Sequence, residues 1–496
     1  MSDPTNPNPA PDADLASFRL EKLKKIEALG IDPWGGRFDG HVAIEKIREL
    51  KAGSFDEPDL PVVRAAGRIV GRRGMGKVHF LELWDQTGKI QVMLGQKQIG
   101  DLGWQLANLL DRGDLIGVEG QFGRTKTGEL TIRANGDKSL TILSKSLEPH
   151  PTNYYGMSDM EYRLRHRYLD LVYTPETLQR AKQRILILRT IRDYLNNIGF
   201  NEVETPTLHS IAGGAAARPF TTHHNALDIP LFLRIALELH LKRLLVGGIE
   251  KVYEIGRVFR NEGISHKHNP EFTMMELYEA YSDYRGMMDL TEGIIVACVD
   301  AIGGGRVRPW GDKQVDFTPP WKRASYSELF SEHVGCSLED PVAVLEAARK
   351  NKLEIGNKEH DVLVQELFEK CVEDALVGPV FVYDYPAALC PLTKRKFGNP
   401  KLAERFELYV HGMELANAYT ELNDPITQEE TFKKQLVGMS EEDSMAKMDD
   451  DFVRALRHGM PPAGGLGIGI DRLVMLLTNT PSIRDIILFP LLRPEV

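Results

Sequence analysis

The chain has 496 residues, enough for about two to four domains with cores of their own, and its composition is that of an ordinary water-soluble protein. Hydrophobic residues make up 42% and charged residues 27%, and no run of about 18 apolar residues is present that would span a membrane. Sixty-one Lys and Arg against 71 Asp and Glu give a net charge of −10. A field of that sign repels polyanions, so the total charge by itself argues against a nucleic-acid partner.

The first 14 residues and the cysteines indicate the compartment. Residues 1–14 hold four prolines, three aspartates and no Lys or Arg, which predicts a disordered tail and not a secretory signal. Four scattered cysteines without a C-x-x-C pair favour a reducing compartment, the cytoplasm: Cys298, Cys336, Cys371 and Cys390.

Segment 15–29 predicts an amphipathic helix. Its apolar residues recur at helical spacing: Leu15, Phe18, Leu23 and Ile26. The other face has a charge of +2, from four basic and two acidic residues: Arg19, Lys22, Lys24 and Lys25 against Glu21 and Glu27. Two interpretations stay open, a solvated face and a helix that touches a polyanion.

Residues 61–143 predict a small all-β barrel, because short β-rich runs alternate with Gly-containing turns. The five runs are Val62–Val70, Val78–Trp84, Lys89–Leu94, Leu115–Phe122 and Leu130–Arg133. Eleven Lys and Arg against seven Asp and Glu give residues 61–133 a charge of +4 inside a chain of −10. The local charge therefore restores a polyanion as a candidate partner.

The rest of the chain mixes helices and strands. Prolines in 144–155 predict a linker, and 177–198 predicts a helix that ends at Gly199. We expect five apolar side chains of that helix to share one face: Ile185, Leu188, Ile191, Leu195 and Ile198. Residues 286–376 are expected to be mostly helical.

Three separated segments carry the candidate chemistry. Residues 199–208 (GFNEVETPTL) form an acidic alternating strand that ends at a proline. Residues 257–278 (RVFRNEGISHKHNPEFTMMELY) place an unusual density of polar residues on two strands and the loop between them, and buried polar groups need partners. Residues 464–477 (GGLGIGIDRLVMLL) join a glycine-rich strand, which a ligand can approach closely, to an apolar helix.

These segments resemble motifs 1, 2 and 3 of the class II aminoacyl-tRNA synthetases. Longer runs at 213–227, 261–278, 415–424 and 465–490 resemble the bacterial-type class II lysyl-tRNA synthetases, and the likeness covers about residues 15–496. The resemblance implies an α+β multidomain chain. Its expected parts are a tail (1–14), an N-terminal helix and OB-fold anticodon-binding β-barrel (15–148), a linker (149–159) and an antiparallel-sheet catalytic domain with helices (160–496), which contains a helical insertion at about 286–376.

The resemblance implies formation of lysyl-adenylate and pyrophosphate from L-lysine and ATP, followed by transfer of lysine to tRNA(Lys). By resemblance, Arg260 bridges the lysine carboxylate and the α-phosphate, and Phe272 and Arg472 stack on adenine. Arg472 also lies near the γ-phosphate. The other implied ATP contacts are Glu262, His268, Asn269, Glu407 and Glu414. Of these, Glu407 and Glu414 match Mg²⁺ ligands, which suits hard carboxylate oxygens.

The resemblance also implies a lysine pocket. Gly214 and Glu238 match the contacts of the α-amino group, while Asn417, together with Arg260, matches a carboxylate contact. Four residues match the ε-ammonium end and the aliphatic stem: Glu276, Tyr278, Tyr419 and Glu421. In the barrel, four residues match anticodon-reading positions: Arg73, Phe80, Gln91 and Glu129. For Phe80 the alternative, a side chain in the barrel core, stays open. Residues 199–206 resemble a subunit-interface motif and imply a homodimer.

Three positions depart from the pattern of that family. Lys267 stands where many bacterial relatives have an arginine, Leu237 replaces a proline, and His240 replaces a tyrosine. Competing interpretations are an aspartate or asparagine synthetase, a catalytically silent paralogue, and an enzyme that adds lysine to a protein. The carboxylates Glu421 and Glu276 argue against the first. The second is disfavoured by four retained residues: Arg260, Glu407, Glu414 and Arg472. The barrel at 61–143 argues against the third.

Overall fold

The structure is a computed structural model that describes residues 12–151, 157–211, 213–215, 217–390, 393–436 and 449–494. The chain divides into two compact units, Met1–Gly156 and Met157–Val496. Residues 1–11 of the expected tail and 152–156 of the expected linker lie outside the described residues. No helix in the described ranges is long and apolar enough to cross a membrane.

The first unit is a β-barrel with helices. Its helices are α1 (Asp12–Ala28), α2 (Ile44–Arg48) and α3 (Gln96–Leu109). Its strands are β1 (Gly53–Ser54), β2 (Val62–Met75), β3 (Val78–Trp84), β4 (Lys89–Gly95), β5 (Leu115–Arg124), β6 (Leu130–Ala134) and β7 (Leu140–Ser144).

Five strands close the barrel in the order β5-β2-β3-β4-β6, and β6 pairs with β5 again. Strand β3 alternates strictly, so that Leu81 and Leu83 are buried in the core while Phe80 and Glu82 lie on the outer face. The predicted barrel is confirmed, and the bounds of β3 are those predicted. Phe80 is not a core residue.

Helix α1 uses part of its basic face within its own unit. The Arg19 guanidinium donates to the carbonyl oxygens of Ser146 (3.0 Å) and Arg112 (2.9 Å). The Lys22 ammonium lies 2.5 Å from the Asp111 carboxylate. The expected apolar face is wrong at Phe18, which is 58% exposed, because the helix contacts the barrel chiefly near its C-terminal end, where Ile26 is fully buried.

The second unit is a mixed sheet covered by helices. Its helices are α4 (Met160–Arg165), α5 (Arg167–Tyr173), α6 (Pro175–Asn197), α7 (Glu238–Val246), α8 (Tyr284–Ala301), α9 (Tyr326–Val334), α10 (Pro341–Lys350), α11 (His360–Cys371), α12 (Pro425–Leu436), α13 (Asp450–Arg457), α14 (Ile470–Leu477) and α15 (Ile483–Ile486). Short 3₁₀ turns span Glu373–Ala375 and Ala387–Leu389.

Its strands follow in chain order. They are β8 (Asn201–Glu202), β9 (Leu208–His209), β10 (Thr221–His224), β11 (Ile229–Leu233), β12 (Lys251–Phe259), β13 (Glu271–Ala280), β14 (Val307–Trp310), β15 (Lys313–Asp316), β16 (Lys322–Ser325), β17 (Val380–Pro386), β18 (Arg395–Lys396), β19 (Asn399–Val410), β20 (Met413–Thr420) and β21 (Ala463–Gly469).

The main sheet has the order β16-β17-β19-β20-β21-β13-β12-β8, with β18 paired to β19. Only its two edge pairings, β16–β17 and β12–β8, are parallel. Helices α6, α8 and α14 bury one face of the sheet in the largest core, which includes Met275 of β13 and Ile468 of β21. The opposite face of β13, β20 and β21 holds the candidate site. The predicted α+β fold class is confirmed.

Helix α6 buries a different stripe from the one expected. Ile187, Ile191 and Leu195, which are spaced four residues apart, are fully buried, whereas Ile185 is 59% and Ile198 40% exposed. The expected set began with residues spaced three apart. Because an α-helix has 3.6 residues per turn, side chains at a repeated spacing of three turn progressively away from the contact face. The segment 286–376 also contains strands β14, β15 and β16 between its helices.

Candidate functional site

A cavity of about 180 Å³ opens on the sheet face between β13, β20, β21 and the loop that follows β12. Seven of the eight residues expected to contact ATP line it: Arg260, Glu262, His268, Asn269, Phe272, Glu414 and Arg472. The eighth, Glu407, lies on the neighbouring strand β19 and is buried. Asn417 and Lys267 line the same cavity.

Cations lie close to the aromatic and acidic walls of this cavity. The Arg260 guanidinium carbon is 5.2 Å from the centroid of the Phe272 ring. Arg472 donates from Nη1 to the carbonyl oxygen of Glu414 at 2.7 Å. A planar guanidinium can bind two oxygens at once, so the cavity is suited to phosphate and carboxylate groups.

Arg472 owes its position to its neighbour Asp471, which the sequence analysis did not single out. The buried Asp471 carboxylate accepts from the backbone N–H of Thr273 (2.7 Å) and pairs with Arg184 (2.5 Å). These contacts tie the start of α14 to β13 and α6. The sequence signal was an acidic residue directly beside the motif arginine.

His268 and Asn269 complete the loop side. Burial and the nearby Arg472 lower the pKa of His268, so its imidazole stays neutral at pH 7. The side-chain amide of Asn269 donates to the Glu271 carbonyl oxygen (2.7 Å), while its Oδ1 is buried without a hydrogen-bond partner among the described residues. An orphaned acceptor of this kind fits a donor group on a ligand.

A β-bulge brings the acidic wall together. The pairing of β19 with β20 shifts between Leu408 and Tyr409, so that Glu414 and Asn417 reach the same face although they are three residues apart. The Asn417 amide lies 3.3 Å from Glu414 Oε1. Burial and the neighbouring Glu407 carboxylate raise the pKa of Glu414.

Glu414 fits a magnesium ligand better than Glu407 does. Glu414 lines the cavity, and a cation there would relieve the repulsion between the two carboxylates. Glu407 already accepts from the hydroxyl groups of Tyr385 (2.8 Å) and Tyr409 (2.5 Å) and pairs with Arg405. No group of three His, Cys, Asp or Glu side chains forms a metal site in the described ranges, but Mg²⁺ needs only one or two carboxylates besides substrate phosphates.

Beside this cavity lies a buried group of charges that we call the acidic pocket: Glu238, Lys242, Glu276 and Glu421. The Lys242 ammonium lies 2.5 Å from both Glu238 Oε1 and Glu421 Oε2. Glu421 is fully buried, and its Oε1 has no hydrogen-bond partner among the described residues. The Tyr278 hydroxyl donates to Glu276 Oε2 at 3.2 Å.

The acidic pocket has more negative than positive charge. Burial, opposed by Lys242, raises the pKa of Glu421 to about 7. Burial, reinforced by the Glu238 carboxylate, raises the pKa of Glu276 to about 7 as well. When all three carboxylates are ionised, the one ammonium leaves a surplus of two negative charges, and a cationic ligand would neutralise it and favour that ionised state.

Glycines let the side chains of the acidic pocket lie close to the backbone. Gly465 of β21 pairs with Tyr278 on one side and Tyr419 on the other. A Cβ at Gly465 would overlap the Glu421 carboxylate and lie 2.7 Å from Tyr278 Cε1. Gly214 has a φ of 88°, and a Cβ added to it would lie 3.6 Å from Glu238 Cβ. Glycine at position 465 therefore makes room for the Glu421 carboxylate and the Tyr278 ring.

Sequence reasoning missed Lys242. It lies on α7, one helical turn after Glu238, and is only 2% exposed. The signal was present as a Glu–Lys pair at i, i+4, but such pairs are common on solvated helix faces. Only the tertiary structure reveals that this pair is buried.

The three departures lie in or beside the site. Leu237 provides a backbone N–H that donates to Glu276 Oε1 at 3.1 Å, a bond that proline could not make. The His240 ring centroid is 4.7 Å from that of His209, and burial lowers the pKa of His240 to about 4. Lys267 lines the cavity and retains the positive charge there.

The barrel has its own candidate site on its outer face, in a cavity of about 630 Å³. All four residues expected to read the anticodon line this cavity: Arg73, Phe80, Gln91 and Glu129. Arg73 donates to Gln91 Oε1 at 2.6 Å, and its guanidinium carbon is 5.3 Å from the Phe80 ring centroid. A half-buried aromatic ring on the outer face, beside cations and polar groups, suits a nucleobase.

Comparison with known proteins identifies the class. Residues 159–493 match the class II tRNA synthetases (D, K and N), and residues 63–140 match the OB-fold nucleic acid binding domain of the anticodon-binding type. The chain is a class II tRNA synthetase in fold and in domain content.

Relatives of nearly full length narrow the class to one family. A lysine–tRNA ligase of Moorella thermoacetica is 50% identical over 97% of this chain and 98% of its own length. Lysine–tRNA ligases of Bacillus cereus and Bacillus mycoides are each 47% identical over 97% of this chain and of their own lengths. The chain belongs to the lysine–tRNA ligase family.

We expect Lys242→Met to lower the free energy of unfolding by about 3–5 kcal/mol, because it leaves Glu238 and Glu421 buried without their counter-ion. Lys251→Met is the matched control. Lys251 pairs with Glu279 at 2.7 Å, but its side chain is 39% exposed, so the expected loss is about 0–1 kcal/mol. Chemical denaturation measures both, and equal losses would contradict the role given to Lys242.

Lysine binding should weaken as the pH falls. A cationic ligand favours ionised Glu276 and Glu421, whose pKa values are raised to about 7, so protonation below pH 7 competes with binding. We expect the dissociation constant for lysine to rise by up to about tenfold per pH unit for each of the two carboxylates between pH 7 and 5.5. Calorimetric titration measures it, and a constant affinity over this range would refute the assignment of these carboxylates.

Proposed function

We propose that the chain ligates L-lysine to tRNA(Lys): it forms lysyl-adenylate and pyrophosphate from lysine and ATP, then transfers lysine to the 3′ end of the tRNA. The observation that carries this proposal is the acidic pocket, whose three carboxylates, when ionised, exceed its one ammonium group by a surplus of two negative charges. Lysine brings two ammonium groups, which balance that surplus, while its carboxylate faces Arg260. Aspartate would bring one ammonium group and an additional carboxylate.

Adenylate formation needs no general base, because the lysine carboxylate is ionised before it attacks the α-phosphate. Pyrophosphate leaves as the new C–O–P linkage forms. Arg260 holds the attacking carboxylate and the α-phosphate with one guanidinium group, so that its contribution is positioning and charge stabilisation. Arg472 neutralises charge at the γ-phosphate and, with Phe272, encloses the adenine ring. Glu262, His268 and Asn269 contact the nucleotide from the loop.

Mg²⁺ is part of the proposal. Glu414 and Glu407 would hold it against the phosphate oxygens of ATP, with Glu407 sharing its oxygens with the protein groups that it already contacts. The ion supplies charge neutralisation on the phosphates. The bulge on β20 turns Glu414 towards the cavity.

Selection of lysine depends on buried charge. Glu421 and Glu276, with Tyr278, bind the ε-ammonium group; Glu238 and Gly214 bind the α-amino group. Tyr419 lies along the aliphatic stem, and Asn417 contacts the carboxylate. A neutral side chain of similar size would leave Glu421 without its cation, which costs several kcal/mol and is the source of discrimination.

In the second step the terminal ribose hydroxyl of the tRNA attacks the lysyl carbonyl carbon, and AMP leaves. The barrel reads the anticodon, with Phe80 stacking on a base and Arg73, Gln91 and Glu129 hydrogen-bonding to base edges. The protein acts as a homodimer through the region around 199–206. It works in the cytoplasm, where translation consumes its product.

Lysine alone among the twenty amino acids should support ATP–pyrophosphate exchange. We expect Glu421→Gln to lower kcat/KM for lysine in this exchange at least about a hundredfold, because the ammonium group loses its ionic partner. Glu430→Gln, a change at an exposed glutamate of α12, serves as the control and should have no effect. Exchange with aspartate but not lysine would overturn the proposed function.

Phe80→Ala should reduce kcat/KM for a transcript with a UUU anticodon by about tenfold, because one base loses its stacking partner. ATP–pyrophosphate exchange should stay unchanged, and so should the free energy of unfolding, since Phe80 lies on the outer face. The neighbouring Leu81→Ala should instead cost about 2–5 kcal/mol of stability. Unaltered charging by Phe80→Ala would remove Phe80 from the anticodon site.

A further inference from the structure

The hairpin of β18 and β19 carries an aromatic residue at its tip. Lys396 pairs with Asn399, so the connection consists of the two residues Phe397 and Gly398. Gly398 has a φ of 83°, which the second central position of such a turn requires and which glycine adopts without strain. The turn therefore projects Phe397 away from the sheet.

Phe397 has a relative exposure of 101%, the highest among the exposed large hydrophobic side chains of the described residues. A side chain with that exposure gains nothing from packing within its own unit. Phe489, the next most exposed phenylalanine among those described, is 71% exposed. Structural stability therefore gives no reason for an aromatic ring at this tip.

The hairpin is also strongly basic. Residues 393–401 contain four Lys or Arg and no acidic residue. Lys396 pairs with Asp384, and Lys401 lies 4.0 Å from Glu339. Arg395, the first residue of β18, is exposed. An aromatic ring between cations is the combination that binds single-stranded nucleic acid, because every base offers a flat face and every phosphate a negative charge.

The base of the hairpin is at the acidic pocket. Thr393 forms a β-bridge with Glu421, and the backbone N–H of Lys394 donates to the Thr420 carbonyl oxygen at 3.2 Å. Four residues of extended chain separate Thr393 from Phe397, a length of about 13 Å. A single-stranded nucleic acid whose end reaches the acidic pocket would therefore have its last few nucleotides near the tip of the hairpin.

We propose that this hairpin binds the single-stranded 3′ end of tRNA, with Phe397 stacked on a base near the terminal adenosine and Arg395 on a backbone phosphate. The inference rests on the proposed function, in which that end must reach the lysyl-adenylate. It adds a binding subsite outside the cavity and the acidic pocket.

The test compares Phe397→Ala with Phe397→Trp in two reactions. Phe397→Ala should lower kcat/KM for tRNA in aminoacylation about tenfold, the loss of one stacked base. Phe397→Trp should retain most of the activity, and both variants should keep wild-type ATP–pyrophosphate exchange, which needs no tRNA. Val342→Ala, at a 68% exposed apolar residue of α10, is the control and should change neither reaction.

A binding measurement identifies the nucleotides concerned. Phe397→Ala should weaken binding of intact tRNA about tenfold but leave the affinity for tRNA lacking its last four nucleotides unchanged. Arg395→Ala should reduce the slope of log affinity against log salt by about 0.7.

Three results would overturn the proposal: equal losses with both tRNAs, no loss with either, or a change in oligomeric mass that makes Phe397 a subunit contact. Failure of the wild-type protein in lysine-dependent exchange would instead refute the proposed function.

Discussion

The buried ion pairs of Lys242 with Glu238 and Glu421 are the constraint on which the site depends. They join α7 to the end of β20, so the helix and the sheet cannot shift separately without exposing or orphaning a charge. One fixed ammonium also offsets part of the repulsion among three buried carboxylates. The same contacts that hold the fold thus set the charge that a ligand must bring.

The remaining geometry follows from departures from regular β structure. A bulge on β20 turns Glu414 and Asn417 to one face, and glycine at position 465 makes room for the Glu421 carboxylate. The opposite face of the same strands is continuous apolar core under α6, α8 and α14. A rigid, packed face therefore supports an irregular, polar one, and the irregularities are where the chemistry lies.

Sequence patterns predict what is local. The bounds of β3 follow from strict alternation, and the loop after β12 follows from a linear motif, so most cavity residues could be named in advance. The buried stripe of α6 could not be predicted, because its apolar residues form more than one possible contact face, and packing against the sheet and α8 determines which of them is buried. Lys242 has the pattern of a solvated helix lysine, and the bulge on β20 depends on the partner strand.

The hydrogen bond from the Leu237 backbone to Glu276 has a consequence for how this position can vary. The donor is the backbone N–H of residue 237, which every amino acid except proline provides. Alanine at residue 237 would keep this donor, although it would remove a buried leucine side chain from the core. Where a relative has proline there, its equivalent of Glu276 has one donor fewer, and two pockets with the same side chains then differ in the basicity of a carboxylate.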